Sequence, residues 1–130
     1  MRRCLDTNII VEIMRGNMEL AEKVKRVSEA NGICITSITL AELYKGAFLS
    51  AVPDKSEKFV DNFASDFKVI DLDMVACKEF GRKFARLKKT GKLVGEMDIF
   101  IAAIAGSHGC ILVTRNTKDF QNLGVAMEKW

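Results

Sequence analysis

What the sequence lacks excludes several classes of protein. A single histidine, His108, rules out acid–base catalysis by a histidine pair, and we predict that it is a partly exposed turn residue. Neither a G-x-x-x-x-G-K-[ST] loop nor a G-x-G-x-x-G after the first predicted strand is present, so no nucleotide cofactor is expected. Apolar runs are too short to cross a bilayer, and the opening MRRCLDTNIIVEIMRG lacks the cleavage site of a signal peptide.

Paired cysteines of the zinc-binding or redox type are also missing. The four cysteines stand at positions 4, 34, 77 and 110, and none forms a C-x-x-C pair. Three of them lie in short apolar runs typical of strands. We therefore predict buried free thiols in a protein of the reducing cytoplasm.

The composition is that of one compact domain spanning residues 1–130. Hydrophobic residues make up 48% of the chain and charged residues 28%, which excludes a disordered protein. The formal net charge is +3. This mildly basic balance is compatible with a nucleic-acid partner without requiring one.

Predicted strands and helices alternate along the chain. The strands are predicted at 2–6, 33–36, 68–72 and 110–116, with a short edge strand within 125–130. The helices are predicted at 7–15, 18–31, around 40–48, from Pro53 to Phe67, at 74–90 and at 95–106, with a helical turn at 117–123. This order predicts an α/β fold with a mostly parallel sheet of four to five strands and helices on both faces.

Four acids are predicted to lie at one edge of that sheet, where sites form beyond the carboxyl ends of the strands. They are Asp6 after the first strand, Glu42 in the helix after the second, Asp98 at the start of the helix before the fourth, and Asp119 behind the fourth. Clustered carboxylates repel one another, and a divalent cation removes that penalty. Ligands that are all oxygen favour Mg²⁺, or Mn²⁺, over zinc.

Each acid also has a structural interpretation. Asp6 and Asp98 stand where helices begin and could be helix caps. Glu42 lies opposite the apolar stripe of its helix and could be solvated, whereas Asp119 could be a turn residue. Two weaker candidates are Glu12 and Glu96.

A run of cations without an acid occupies the stretch RKFARLKKTGK. Its members are Arg82, Lys83, Arg86, Lys88, Lys89 and Lys92. The stretch could be a solvated helix end, since cations suit a helix C-terminus, or a patch that contacts phosphates.

Four segments in series resemble the PIN-domain family and, within it, the VapC-type toxins of toxin–antitoxin pairs. They are LDTNIIVEI, ITSITLAELYKGA, VGEMDIFIAAIAGSHGCILVTRNTKDF and the terminal MEKW, and together they span nearly the whole chain. The resemblance implies a PIN-like three-layer fold around a twisted sheet. It also implies a Mg²⁺-dependent endoribonuclease that hydrolyses RNA with metal-activated water.

The resemblance also assigns roles to single residues and partners. It makes metal ligands and catalytic residues of Asp6, Glu42, Asp98 and Asp119. Thr7 and Asn116 match supporting polar positions, and Glu96 is at most a neighbour of the ligands. The expected RNA path follows Arg82, Arg86, Lys88, Lys89 and Lys92. The expected protein partners are a VapB-like antitoxin and a second copy of the chain, bound through helices at 38–67.

Three other functions remain open at this point. A receiver-like signalling domain also has Mg²⁺ at an acidic sheet edge, but it needs paired acids after the first strand, where only Asp6 is present. A PIN fold used only for binding is disfavoured by the intact acid set. A PIN-fold nuclease that processes RNA outside a toxin–antitoxin pair is the third alternative.

Overall fold

The computed structural model describes residues 2–130, apart from the side chain of Asn31. The strands are β1 (Arg3–Leu5), β2 (Ile33–Thr36), β3 (Lys68–Ile70), β4 (Ile111–Thr114) and β5 (Met127–Lys129). The helices are α1 (Thr7–Met14), α2 (Met18–Asn31), α3 (Ser37–Leu49), α4 (Pro53–Ala64), α5 (Met74–Lys89), α6 (Glu96–Ser107) and α7 (Thr117–Phe120). No helix within residues 2–130 has both the length and the apolar character needed to cross a membrane.

The five strands form one sheet in the order β3-β2-β1-β4-β5, and every neighbouring pair is parallel. The predicted fold class is confirmed, and 125–130 does contribute an edge strand. Since β1 lies at the centre between β2 and β4, the residues that follow these three strands share one edge of the sheet. The sequence order of the strands reverses at this point, which is where α/β sheets bind their ligands.

Successive residues of the strands point to opposite faces of the sheet, and each face carries its own apolar core. On β1, Leu5 joins a core with α1, α2, α3 and α4, whereas Cys4 joins the core on the other face. On β4, Val113 joins the same core as Leu5, whereas Leu112 joins the core on the opposite face. The second face is covered by α5, α6 and α7. The result is the predicted three-layer arrangement.

Strands and one helix end earlier than predicted. The strand predicted at 68–72 ends at Ile70, because its partner there is Thr36, the last residue of β2. The strand predicted at 110–116 covers only Ile111–Thr114. The helix that begins at Pro53 ends at Ala64, so the prediction that it carries Phe67 is wrong.

The prediction of buried thiols is correct for three cysteines and wrong for the fourth. Cys4, Cys34 and Cys110 are buried, with Cys34 Sγ and Cys110 Sγ 3.7 Å apart. Cys77 is exposed, because it lies on the solvent side of α5, one residue after the buried Ala76.

Helices α5 and α6 form an antiparallel hairpin, and its open end is joined by a side-chain contact. Asp73 Oδ1 accepts the Ala76 N–H and caps the start of α5, while Asp73 Oδ2 lies 3.0 Å from Nε2 of His108, at the end of α6. Because α6 ends where β4 begins, its first turn lies at the carboxyl edge of the sheet. The basic C-terminal end of α5 therefore reaches the same edge.

Candidate active site

Asp6 is the most deeply buried acid at the carboxyl edge, with 3% of its surface exposed. Its N–H donates to the Val113 carbonyl at 2.8 Å, which extends the β1–β4 pairing, and the Thr114 hydroxyl donates to its Oδ2 at 2.9 Å. Asp6 occupies the N-cap position of α1, but its side chain makes no capping hydrogen bond. Burial raises the pKa of Asp6, an effect that the Thr114 hydrogen bond opposes and the charges of Glu42 and Asp119 reinforce.

Glu42 is held at the site by a residue from another element. The Thr7 hydroxyl, in the first turn of α1, donates to Glu42 Oε1 at 2.7 Å, and the hydroxyl oxygens of Thr7 and Thr39 are 3.0 Å apart. The side chain is half-buried. The interpretation of Glu42 as a freely solvated residue is therefore wrong, although it does lie outside the apolar stripe of α3.

Asp98 lies in the first turn of α6, whose N-cap is Gly95, and α6 has no side-chain capping hydrogen bond. Asp98 therefore makes no capping hydrogen bond within residues 2–130, but it does stand in the first turn of α6, where the helix dipole favours a carboxylate. Burial and, after it, the charges of Asp6, Asp119 and Glu42 together raise its pKa to about 6. The charges of the other three predicted acids thus reach Asp98.

Asp119 is connected to Asp6 by a chain of hydrogen bonds. The Asn116 side-chain amide donates to Asp119 Oδ2 at 2.5 Å, and the Asn116 backbone N–H donates to the Thr114 hydroxyl at 3.0 Å. That hydroxyl in turn donates to Asp6. Thr114 is a site residue that the sequence interpretation missed. The available signal was a polar residue at the end of an otherwise apolar strand, at the edge already assigned to Asp6.

The site fits a divalent cation by its donor chemistry, because it presents only carboxylate and hydroxyl or amide oxygens at this edge. In the part of the chain from 2 to 130, no three acidic, histidine or cysteine side chains converge closely enough to form a coordination shell. Like-charged carboxylates repel one another, and three of them, Asp6, Glu42 and Asp119, are each held by a hydroxyl or amide neighbour.

The two weaker candidates lie apart from this arrangement. Glu96 is exposed at the first position of α6. Glu12 pairs with Arg15 at 3.9 Å on the surface of α1. Neither has a contact to Asp6, Glu42, Asp98 or Asp119 among the hydrogen bonds of residues 2–130.

The basic stretch divides into engaged and free cations. Arg82 pairs with Glu79 at 2.6 Å, Arg86 donates to the Asn122 carbonyl at 3.4 Å, and Lys83 is buried. Three exposed cations of this stretch make no ion pair and no side-chain hydrogen bond within residues 2–130. They are Lys88, Lys89 and Lys92. Lys88 and Lys89 end α5 at the carboxyl edge of the sheet, and Lys92 follows in the connection to α6.

An apolar groove of about 310 Å³ opens beside the acids, between α1, α3 and α4. Thr7 and Glu42 line it together with apolar side chains such as Val11, Leu43 and Phe59. Phe48 and Leu49, at the end of α3, are also exposed. The helices predicted to supply partner surfaces therefore do carry exposed apolar groups next to the site.

Comparisons with known proteins agree with this geometry. The PIN domain family model matches residues 3–126. Ribonuclease VapC2 of Haemophilus influenzae is 38% identical over 128 residues, covering 97% of this chain and 96% of that protein. A tRNA(fMet)-specific endonuclease VapC of Shigella flexneri is 34% identical, with 97% and 96% covered. The DNA-bound VapBC structure from Salmonella typhimurium contains a chain similar over 100% of this chain and 98% of its own, with a TM-score of 0.92 and 33% identity.

Proposed function

Because the chain belongs to the PIN-domain family, we propose that it is an endoribonuclease, the toxin of a toxin–antitoxin pair, and that its four carboxylates bind Mg²⁺. The observation that carries the proposal is the position of Asp98 at the sheet edge, where burial and, after it, the charges of Asp6, Asp119 and Glu42 raise its pKa to about 6. A cluster of this kind is costly for a protein without a cation partner. Relatives named as ribonucleases match nearly the full length of the chain.

The roles of the residues follow from their positions. Asp6, Glu42, Asp98 and Asp119 would hold Mg²⁺ or Mn²⁺, and Thr114, Thr7 and Asn116 orient three of these carboxylates through hydrogen bonds. A bound divalent cation lowers the pKa of a water molecule and stabilises the leaving oxygen of the phosphodiester. Attack by water does not use the RNA 2′-hydroxyl, so products with a 5′-phosphate and a 3′-hydroxyl are expected.

The RNA backbone would enter along the end of α5. Lys88, Lys89 and Lys92 are exposed and free of ion pairs within residues 2–130, and they lie at the edge that carries the acids. Their charge offsets the repulsion between the acidic site and the phosphates. Arg82 and Arg86, also predicted to bind RNA, first have to leave Glu79 and the Asn122 carbonyl.

The partner surfaces follow from the same geometry. The apolar groove between α1, α3 and α4, with exposed Phe48 and Leu49 nearby, offers surface for a VapB-like antitoxin and for a second copy of the chain. VapBC complexes with chains similar to this one over nearly their full length support an antitoxin partner. The proposed location of this pair is the cytoplasm, where its RNA substrate is found.

The proposal is tested by incubating the purified chain with RNA in Mg²⁺, in Mn²⁺ and in EDTA, followed by analysis of the product ends. We expect cleavage with either cation, none in EDTA, and 5′-phosphate ends. RNA that is bound but never cut would indicate a binding module. Cleavage in EDTA with 2′,3′-cyclic phosphate ends would contradict the metal-dependent mechanism.

A further inference from the structure

A buried lysine of α5 has no role in the proposed chemistry. Lys83 of α5 is 7% exposed, although lysine is almost never buried unless its charge is compensated. Its ammonium donates to the Leu123 carbonyl at 2.5 Å. It has no ion pair within residues 2–130. Lys83 is therefore a desolvated cation whose hydrogen bond within residues 2–130 goes to this backbone carbonyl.

A second cation, one helical turn further along α5, binds the neighbouring residue. Arg86 Nη2 donates to the Asn122 carbonyl at 3.4 Å. Gly124, the residue after Leu123, has φ +63°, and a Cβ added there would lie 3.5 Å from Lys83 Nζ and 3.8 Å from Arg86 Nη2. The backbone at 122–124 is thus packed directly against both cations.

This backbone segment is continuous with the helix that carries Asp119. Leu123 N–H donates to the Phe120 carbonyl at 3.1 Å, and Phe120 and Leu123 are 1% and 0% exposed in the same core as Leu87 of α5. Because α7 has only four residues, its own hydrogen bonds hold it weakly. Its position depends on the segments at its two ends.

We infer that Lys83, assisted by Arg86, is a positioning residue for Asp119. It holds the segment 122–124 through the Leu123 carbonyl, and this segment fixes α7 and the carboxylate that Asn116 orients from the other end. The inference rests on the proposed function, since it gives Lys83 a role in the affinity of the acid site for its cation. It assigns Lys83 no contact with the cation or the RNA.

The test compares Lys83→Met, which keeps the length of the side chain and removes its charge, with Lys78→Met at an exposed position of the same helix. Lys83→Arg is the conservative variant, and Arg86→Gln removes the charge of the second, exposed cation. Two readouts are measured without RNA: Mn²⁺ binding by the loss of the free-ion EPR signal, and amide hydrogen exchange in 117–124 against that in β2.

We expect Lys83→Met to raise the half-saturating Mn²⁺ concentration roughly tenfold, the lower end of the effect of removing an outer-shell partner. Exchange in 117–124 should become faster while β2 stays protected. Lys83→Arg should keep most of the wild-type Mn²⁺ affinity and of the exchange protection in 117–124. Arg86→Gln should weaken both, but by less than Lys83→Met does. Lys78→Met should match the wild type.

A folded Lys83→Met protein with the wild-type Mn²⁺ curve would overturn the inference, even if exchange became faster, since the lysine would then serve the fold alone. If Lys83→Met does not fold, Arg86→Gln serves as the test instead, and a wild-type Mn²⁺ curve for that variant would overturn the inference. A wild-type chain that binds no Mn²⁺ would contradict the proposed function itself, and the exchange data would still report whether Lys83 holds the segment.

Discussion

At the scale of single residues, Asp98 links stability to pH. Its pKa is raised from 3.8 to about 6 by burial and by the other acids, so the folded protein favours its protonated form. The stabilisation from this proton is fully present below pH 4 and is lost as the pH rises through 6. In EDTA, ionised Asp98 therefore destabilises the protein at neutral pH.

We accordingly predict that Asp98→Asn is more stable than the wild type at pH 7.5 in EDTA by about 1–2 kcal/mol, after allowance for the partial exposure of the group. The difference should disappear near pH 4. Urea unfolding at both pH values measures it, with Glu96→Gln in the same helical turn as the control that follows the wild type. An Asp98→Asn protein that is less stable at pH 7.5 would contradict the electrostatic coupling.

All four acids could be proposed for this edge from the sequence, whereas the contact that holds Glu42 there could not. Asp6, Asp98 and Asp119 stand beside strand ends, and strand ends of a parallel sheet share one edge. Glu42 lies in the second turn of the helix that follows its strand, at a position where periodicity indicates solvent. Its position depends on Thr7, which is 35 residues away in sequence and reaches it only in the folded chain.

At the scale of secondary structure elements, the helices were predicted better than the strands. Capping residues and apolar periodicity mark helix ends locally, as at Pro53 and at Gly32, where φ is +75°. The end of a strand depends on its partner, and β3 ends at Ile70 because β2 has no residue left to pair. In the same way, the basic run did not reveal that Lys83 is buried, because the Leu123 carbonyl that receives it is 40 residues away.

The basic end of α5 gives a prediction about RNA binding. In EDTA, where no cleavage is expected, Lys88→Gln/Lys89→Gln should weaken binding and reduce the slope of log K against log salt by about 0.7–1 for each lost phosphate contact. The matched control is Lys25→Gln/Arg26→Gln, two exposed cations of α2. Equal slopes for the two double variants would show that RNA does not run along α5.

At the scale of the whole molecule, the proposed pairing with an antitoxin predicts a growth phenotype. Expression of the chain alone should arrest bacterial growth, and co-expression of the antitoxin encoded by the adjacent gene should restore it. Size-exclusion chromatography of protein purified from the co-expressing strain should show both proteins in one complex. Normal growth with abundant folded wild-type chain would contradict the toxin role, while leaving a ribonuclease outside a toxin–antitoxin pair possible.

If the four carboxylates hold the cation that cleaves RNA, cleavage requires the charge of Asp98, and Asp98→Asn removes that charge. Asparagine retains the size of the side chain and serves nearly as well at a helix N-terminus, so a purely structural role predicts wild-type cleavage. RNA cleavage is measured against Mg²⁺ concentration for the wild type, Asp98→Asn and Glu96→Gln. We predict that Asp98→Asn loses at least about a hundredfold in cleavage and needs more Mg²⁺, while Glu96→Gln matches the wild type. Wild-type cleavage by a folded Asp98→Asn protein would contradict the account.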